Sequence, residues 1–324
     1  MSAAKFEAPE PKPFTVRPDK ALDTASCAAG FLFRGLSGVV VAGYTPSVVE
    51  VGEASPTTYA GSLRAAGRGL AETSTLVATW KRPVQPLILY EFQVRERPRS
   101  TTQTRQCGCK RPSVQRTPLS SSFLVDVPPS SSQGCPFCRR VREALTYFDL
   151  DHEVRPCPRD GPTWRTKVVR EFGKAQFPVL VDNNTGTSMY ESADIVAYLA
   201  KEYADGVVPS ALTGPLAPLL LGLSLLPRLG KGAKYRPSRA NADMKPLILW
   251  SYEGSPFCIL VREVLTELEI PHLVKTCARG SVKREEMFAA EGRFQAPLIE
   301  DPNTGVKSFE SASIIEYLEE TYAL

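Results

Sequence analysis

The sequence predicts an α/β protein built from two copies of one β-α-β-α-β-β-α unit. Three observations predict it. The chain has 324 residues, too many for one small α/β unit and suited to about two plus connecting material. Laid against itself, it repeats over nearly half of its length. Within each copy, short apolar runs of strand character alternate with stretches of helical period.

The elements follow in the same order in both copies. The first strand is PLILYEF, Pro86 to Phe92, answered by PLILWSY, Pro246 to Tyr252. The first helix opens in GCPFCRRVREAL from Gly134, answered by GSPFCILVREVL from Gly254. A second strand runs through HEVRPC or HLVKTC, with Cys157 answering Cys277, and a second helix follows. Both histidines, His152 and His272, stand 18 residues after the aligned glycines. The third strand is entered by proline, at Phe177-Pro178 and Ala296-Pro297, and a DNNTG or DPNTG turn joins it to the fourth. The closing helices lie in YESADIVAYLAKEYA and FESASIIEYLEETYA; in the first, Ile195, Val196, Leu199 and Tyr203 form an apolar stripe. Duplication accounts for this correspondence.

Composition excludes some function classes. With 43% hydrophobic residues, 23% charged residues and a net charge of +4, the chain can bury ordinary cores and has no electrostatic bias toward nucleic acid, so no nucleic-acid partner is expected. Eight cysteines, at 27, 107, 109, 135, 138, 157, 258 and 277, are too few for a secreted disulfide framework and read as reduced or reactive thiols. A zinc half-site would need a second CxxC or CxxH; Cys107 and Cys109 supply only CxC, so no metal is expected.

Residues 94 to 133 interrupt the first copy between its first strand and its CxxC turn, a connection that is normally tight. Without these 40 residues LYEFQGCPFC aligns gaplessly with LWSYEGSPFC. Gln93-Val94-Arg95 can be encoded by a splice-donor-like string, and the stretch ends in PPSSSQ, which can be pyrimidine-rich followed by CAG. The segment reads as a translated, retained intron, rich in Arg, Ser, Thr and Pro and too poor in apolar residues for a core. The alternative is a genuine regulatory loop. A spliced transcript that retains codons 94 to 133 would rule out the intron.

The chemistry centres on Cys135 and Cys138. A cysteine just before a helix has its thiolate stabilised by unpaired N–H groups and the positive end of the helix dipole. Arg139, Arg140 and Arg142 are expected to add positive charge. Cys135 is then the nucleophile, and Cys138, one turn later, the resolving thiol. In the second copy Ser255 replaces the nucleophile and leaves Cys258 alone, which excludes dithiol exchange there. Cys157 and Cys277 read as small buried hydrophobes. Glu191-Ser192 and Glu310-Ser311, each 13 residues past the proline, open the last helices, where a serine either caps the helix or helps hold an anion.

CPFC, an apolar-Pro pair and Glu-Ser, together and repeated, resemble the thioredoxin-like domains of glutaredoxins and of glutathione-transferase N-terminal regions. More narrowly, CPFC, CPRDGP, QFP, NTG and MYES, the second SPFC copy and the N-terminal EPKPFTVRP resemble plastid proteins of plants and algae with two such domains in tandem. The resemblance implies glutathione as ligand and cofactor. It implies cis prolines at Phe177-Pro178 and Ala296-Pro297 that pair with the glutathione backbone, and Glu191-Ser192 and Glu310-Ser311 holding its γ-glutamyl end. It also implies a chloroplast location, although an N-terminus carrying Glu7 and Glu10 lacks transit-peptide character.

The expected organisation is an N-terminal extension with an apolar helix (1–85), a first thioredoxin-like domain (86–205, interrupted at 94–133), an apolar Pro-rich linker (206–245) and a second domain (246–324). Residues 24 to 44 read as a helix packed on the first domain. Gly206 to Pro227, without a charge but broken by prolines, reads as a linker or an interfacial membrane anchor. The expected function is glutathione-linked thiol-disulfide exchange on unidentified protein disulfides, with Cys135 as nucleophile. The alternative is a glutathione-binding or protein-interaction scaffold. A conjugating transferase is less expected, because only about 40 residues separate the copies and leave no room for an all-helical domain.

Overall fold

The computed structural model describes residues 6–12, 16–35, 37–50, 64–65, 68–92, 135–228 and 231–324. The expected interruption at 94–133, with Cys107 and Cys109, lies outside the described residues.

An arm comes first: a 3-10 turn at Pro18–Lys20, helix α1 (Ala21–Ala29) and a further turn to Phe33. Strands β1 (Tyr44–Glu50), β2 (Arg64–Ala65) and β3 (Arg68–Ser74) form a small antiparallel sheet. The first repeat is β4 (Leu87–Glu91), α2 (Pro136–Tyr147), β5 (His152–Pro156), α3 (Trp164–Phe172), β6 (Val179–Asp182), β7 (Thr187–Met189) and α4 (Ser192–Tyr203). Short helices α5 (Ser210–Thr213) and α6 (Ala217–Leu223) and a 3-10 turn at Leu226–Arg228 follow. The second repeat is β8 (Leu247–Ser251), α7 (Pro256–Glu267), β9 (His272–Thr276), α8 (Lys283–Glu291), β10 (Leu298–Glu300), β11 (Lys307–Phe309) and α9 (Ser311–Tyr322). Both repeats have the expected β-α-β-α-β-β-α order.

In each repeat the first strand is central, parallel to the second and antiparallel to the third. Its alternating side chains serve two layers. Leu87 and Leu89 meet Val141 and Leu145 of α2 and Ile195, Leu199 and Tyr203 of α4. Ile88 and Tyr90 face Trp164 and Val168 of α3. Leu247 and Leu249 pack likewise in the second repeat, against Val261 and Leu265 of α7 and Ile314 and Leu318 of α9.

The repeats share one eight-stranded sheet, in the order β11-β10-β8-β9-β5-β4-β6-β7. The joint is antiparallel: His152 lies opposite Val274, Glu153 opposite Leu273 and Val154 opposite His272. Glu153 and Leu273 are equivalent positions, so an approximate two-fold axis passes between them. The joint covers both strand edges that separate repeats would expose. Burial lowers the pKa of both histidines, His272 to about 4, and keeps the rings at the axis neutral at neutral pH.

The axis also relates the arm to the segment between the repeats. Arg34 bonds Glu143 through Nε at 3.0 Å, and Arg228 bonds Glu263 through Nε at 2.9 Å. Four residues later Gly38 and Gly232 both take positive φ, +77° and +75°. Val39 and Val41 then hydrogen-bond Arg279, as Ala233 and Tyr235 hydrogen-bond Arg159. At the axis itself, Gly30 lies so close to Ser224 that an added Cβ would stand 2.5 Å from the serine carbonyl oxygen. The arms are crossed: α1, which precedes the first repeat, packs on α7 of the second, while α6 packs on α2 of the first. This corrects one expectation in part: of residues 24 to 44, expected as a helix on the first unit, the helical part packs on α7 of the second repeat, whereas Arg34 bonds Glu143 and the Ala42 N–H bonds the Tyr147 carbonyl of α2 in the first. The expected linker, 206–245, contains the short helices α5 and α6, which pack on α2. No helix among the described residues is long and apolar enough to cross a membrane.

In the second repeat only Tyr252, Glu253, Gly254 and Ser255 separate β8 from α7. Deleting residues 94–133 would give β4 and α2 the same four-residue connection, Phe92-Gln93-Gly134-Cys135. A long insert costs only a few kcal/mol of loop closure at most, so the full chain still folds. The shortened protein is expected to melt roughly 2–4 °C higher and to bind glutathione more tightly. Calorimetry and a glutathione titration check both, and a shortened protein that fails to fold would make the segment a structural element.

Candidate active site and paired ligand site

Cys135 is the N-cap of α2, with extended backbone (φ −61°, ψ 116°), and Pro136 supplies the first helical residue, where a missing N–H costs nothing. Its sulfur lies 3.9 Å from the carbonyl oxygen of Phe177, and the Phe177-Pro178 bond is cis. The first strand and the third, proline-entered strand are neighbours in the sheet, which brings the two loops together. Glu191 and Ser192 open α4 on the same proline-side edge. Glu191 has φ +64° and accepts a hydrogen bond from the Gln176 side chain. The second repeat repeats the layout: Ala296-Pro297 is cis, Glu310 has φ +67°, and Ser311 is the first residue of α9.

The Cys135 thiol is held below its ordinary pKa. The Cys138 thiol, donating to the Cys135 sulfur, is the main cause; the N–H groups of Cys138 and Phe137 and the charge of Arg142 add to it, against burial. The Cys138 thiol, fully buried and giving its proton to that bond, is pushed well up. The expected contribution of three arginines needs correction. Arg139 bonds Glu143 at 3.0 Å, Arg140 bonds the Leu212 carbonyl, and Arg142 bonds Glu91 at 2.6 Å and Glu253 at 2.8 Å. Buried carboxylates offset most of the charge that the sequence seemed to offer the thiol.

For Ser192 the structure removes one of the two alternatives. The N-cap of α4 is Glu191, whose side chain makes no capping bond, and Ser192 lies inside the first turn. The same holds for Glu310 and Ser311 on α9. The serines are therefore not caps, and no side chain caps the first-turn N–H groups. The first turns of the two helices differ in charge: α4 has Asp194 in its first turn, and α9 has no acid there.

Ser255, by contrast, caps α7. Its hydroxyl accepts the Cys258 N–H at 3.3 Å, and Cys258 is fully buried. Above Ser255 lies a cavity of about 170 Å³. Tyr252, Phe257, Phe294, Pro297, Glu310 and Ser311 line it from the second repeat; Lys12, Val16, Arg17, Lys20 and Thr24 line it from the N-terminal arm. These arm residues are not legible in the sequence, because a short basic stretch some 240 positions upstream carries no mark of what it will cover. Among the described residues no group of His, Cys, Asp and Glu is placed to hold a metal ion.

Thiol exposure makes a direct prediction. Cys135 is 7% exposed; Cys138, Cys157, Cys258 and Cys277 are fully buried, and burial pushes the Cys27 thiol up to about 12. Iodoacetamide should label Cys135 first among these, at half-maximal rate below the ordinary thiol pH range, and Cys258 only on unfolding. Mass spectrometry reads both, and equal rates would remove the special environment assigned to Cys135.

Comparison with known proteins agrees with this layout. The family model for the glutathione S-transferase N-terminal domain matches residues 130–206 and 249–324. The chain is 34% identical over 80 residues to the glutathione S-transferase-like protein tpcF of Aspergillus fumigatus, covering 25% of this chain and 35% of that protein. It is 32% identical over 81 residues to the glutathione S-transferase-like protein OpS6 of Beauveria bassiana (25% and 37%) and 35% identical over 81 residues to gedE of Aspergillus terreus (25% and 35%). The matched part thus spans about a third of the length of these relatives. No solved structure matches the chain significantly. With the repeated order of elements, the two cis prolines and the two Glu-Ser helix starts, residues 130–206 and 249–324 belong to the glutathione S-transferase N-terminal domain family, in tandem on a thioredoxin-like fold.

Proposed function

We propose that the chain is a glutathione-dependent thiol-disulfide oxidoreductase whose first repeat carries the reaction and whose second binds glutathione without a reacting protein thiol. The observation that carries this reading is the Cys135 sulfur at a helix N-terminus, held low by the Cys138 thiol and 3.9 Å from the carbonyl preceding the cis proline. In the proposed cycle the Cys135 thiolate attacks the glutathionyl sulfur of a mixed disulfide, the S–S bond breaks, and the substrate leaves as a thiolate that takes a proton from solvent. Glutathione then attacks the Cys135–glutathione disulfide, releasing oxidised glutathione and restoring the thiolate. Backbone groups at Phe177-Pro178 and the α4 N-terminus at Glu191-Ser192 hold the tripeptide; Ala296-Pro297 and Glu310-Ser311 do so in the second repeat. The substrates are proteins carrying such disulfides.

The second reading, a binding scaffold, draws on Ser255: a hydroxyl committed to capping α7 leaves the second-repeat cavity without a protein nucleophile. Reduction of hydroxyethyl disulfide by glutathione decides between them. Turnover by the wild type supports exchange, and binding without turnover supports the scaffold. A chloroplast location belongs to the same reading, and a fluorescent fusion of the native gene product tests it.

A further inference from the structure

We propose that a single small inorganic anion, of chloride size, sits between the repeats where Arg142 and Arg262 meet, in place of a carboxylate that the second repeat lacks. The inference does not rest on the glutathione reading. It starts from a broken correspondence. Glu91 ends β4, and its equivalent at the end of β8 is Ser251. Arg142 of α2 and Arg262 of α7 are equivalent as well. In the first repeat Glu91 meets Arg142 at 2.6 Å. In the second, serine has no charge to offer, and among the described residues Arg262 pairs only with Glu253, through Nη1. Its Nε is buried and has no hydrogen-bond partner among the described residues.

The shorter side chain leaves space as well as charge. A small cavity here is lined by Arg142, Arg262, Glu253, Ser251, Thr146 and His152. The centre of a water-sized sphere has about 10 Å³ in which to move, room for one particle somewhat larger than water. The one carboxylate on its wall is already shared: Glu253 meets Arg142 at 2.8 Å, Arg139 at 3.7 Å, and Arg262. Glu143 is shared in the same way by Arg34 and Arg139. Among the described residues these ion pairs join four buried guanidiniums to three buried carboxylates, Glu91, Glu143 and Glu253. One positive charge is left over, and a buried charge without a partner is costly. Water would fill the space and leave the charge. A monovalent anion answers both, held by guanidinium N–H donors with the hydroxyls of Ser251 and Thr146 beside them. An anion with an organic body is too large for the space, and a divalent one would exceed the charge.

The test follows melting of the full chain at constant ionic strength as sodium methanesulfonate, whose anion is too large for the cavity, is replaced by sodium chloride. Chloride is expected to raise the melting temperature of the wild type saturably, by at least about 3 °C, and bromide to act like it. Two variants should lose that response. Arg262→Met removes the surplus charge. Ser251→Glu returns the missing carboxylate, and without chloride it should melt as high as the wild type does with it. If Ser251→Glu fails to fold, Arg262→Met decides. Anomalous scattering from wild-type crystals grown in bromide needs no variant at all, and should show a peak between Arg142 and Arg262. A wild type indifferent to chloride, variants that keep its full response, or water in place of the bromide peak would each overturn the proposal.

Discussion

Replacing Cys135 with serine is expected to lower glutathione-dependent disulfide reduction by at least about two orders of magnitude, because a hydroxyl cannot supply the attacking thiolate. Cys138→Ser should retain the route that needs only Cys135 and external glutathione. Cys138→Ala is more telling. The thiol of Cys138 donates to the Cys135 sulfur and is the largest reason that its pKa is depressed. Serine keeps a donor at that place and alanine does not. The alanine variant should therefore lose rate below the ordinary thiol range, where Cys135 would be more fully protonated than in the wild type, and recover it above that range, whereas the serine variant should follow the wild type more closely. A hydroxyethyl disulfide assay across pH reads all three. Equal residual activity in the Cys135 and Cys138 variants would reject the roles assigned to them.

Removing the Glu253 carboxylate should destabilise the whole chain by about 3–5 kcal/mol. Glu253 is 3% exposed and lies between three guanidiniums: Arg142 of the first repeat at 2.8 Å, Arg139 at 3.7 Å, and Arg262 of its own repeat. Those charges hold its carboxyl far below the ordinary range, with Arg142 the largest contributor, against burial. A folded pKa below the unfolded one means that this stabilisation is complete above the ordinary carboxylate range and is lost only as pH falls through the depressed value. In Glu253→Gln, Arg142 keeps Glu91 and Arg139 keeps Glu143, but Arg262 is left with no carboxylate among the described residues. The double variant Glu253→Leu/Arg262→Met should recover much of the loss, since an apolar pair needs no partner there. Urea unfolding at neutral pH measures both. A loss under 1 kcal/mol for Glu253→Gln would mean that water reaches the cluster.

What was legible in the sequence was local. The CPFC turn, the apolar-proline pair and the Glu-Ser helix start are each a few residues long, and their order along each copy fixed both the topology and the edge on which they would meet. The alternation at Leu87, Ile88, Leu89 and Tyr90 marks a strand covered on both faces, as observed. What was not legible depended on partners far along the chain. Arg139 and Arg142 looked like free charge beside a thiol because Glu143, Glu91 and Glu253 are assembled around them only by the fold. The arm correspondence rests on four scattered identities, Leu22, Leu32, Arg34 and Gly38 against Leu216, Leu226, Arg228 and Gly232, set in otherwise unlike sequence. The meeting of β5 and β9 left no sign, since an edge strand that pairs reads like one that does not. The serine of Glu-Ser left two readings open for a different reason: a cap and a ligand contact favour the same residue, and only the backbone, which makes Glu191 and Glu310 the N-caps, removes the first.

The crossed arms and the shared sheet reproduce, within one polypeptide, the exchange of elements seen in two-fold dimers. In a dimer of identical chains every substitution appears at both sites at once, so a thiol lost from one is lost from the other. Fusion lifts that restriction. Here the cysteine persists at position 135 and serine stands at 255, and an aspartate marks one helix start alone. Each half still completes its neighbour, and so neither could be discarded when they diverged. Covalent linkage thus allows a division of labour between halves that remain mutually indispensable.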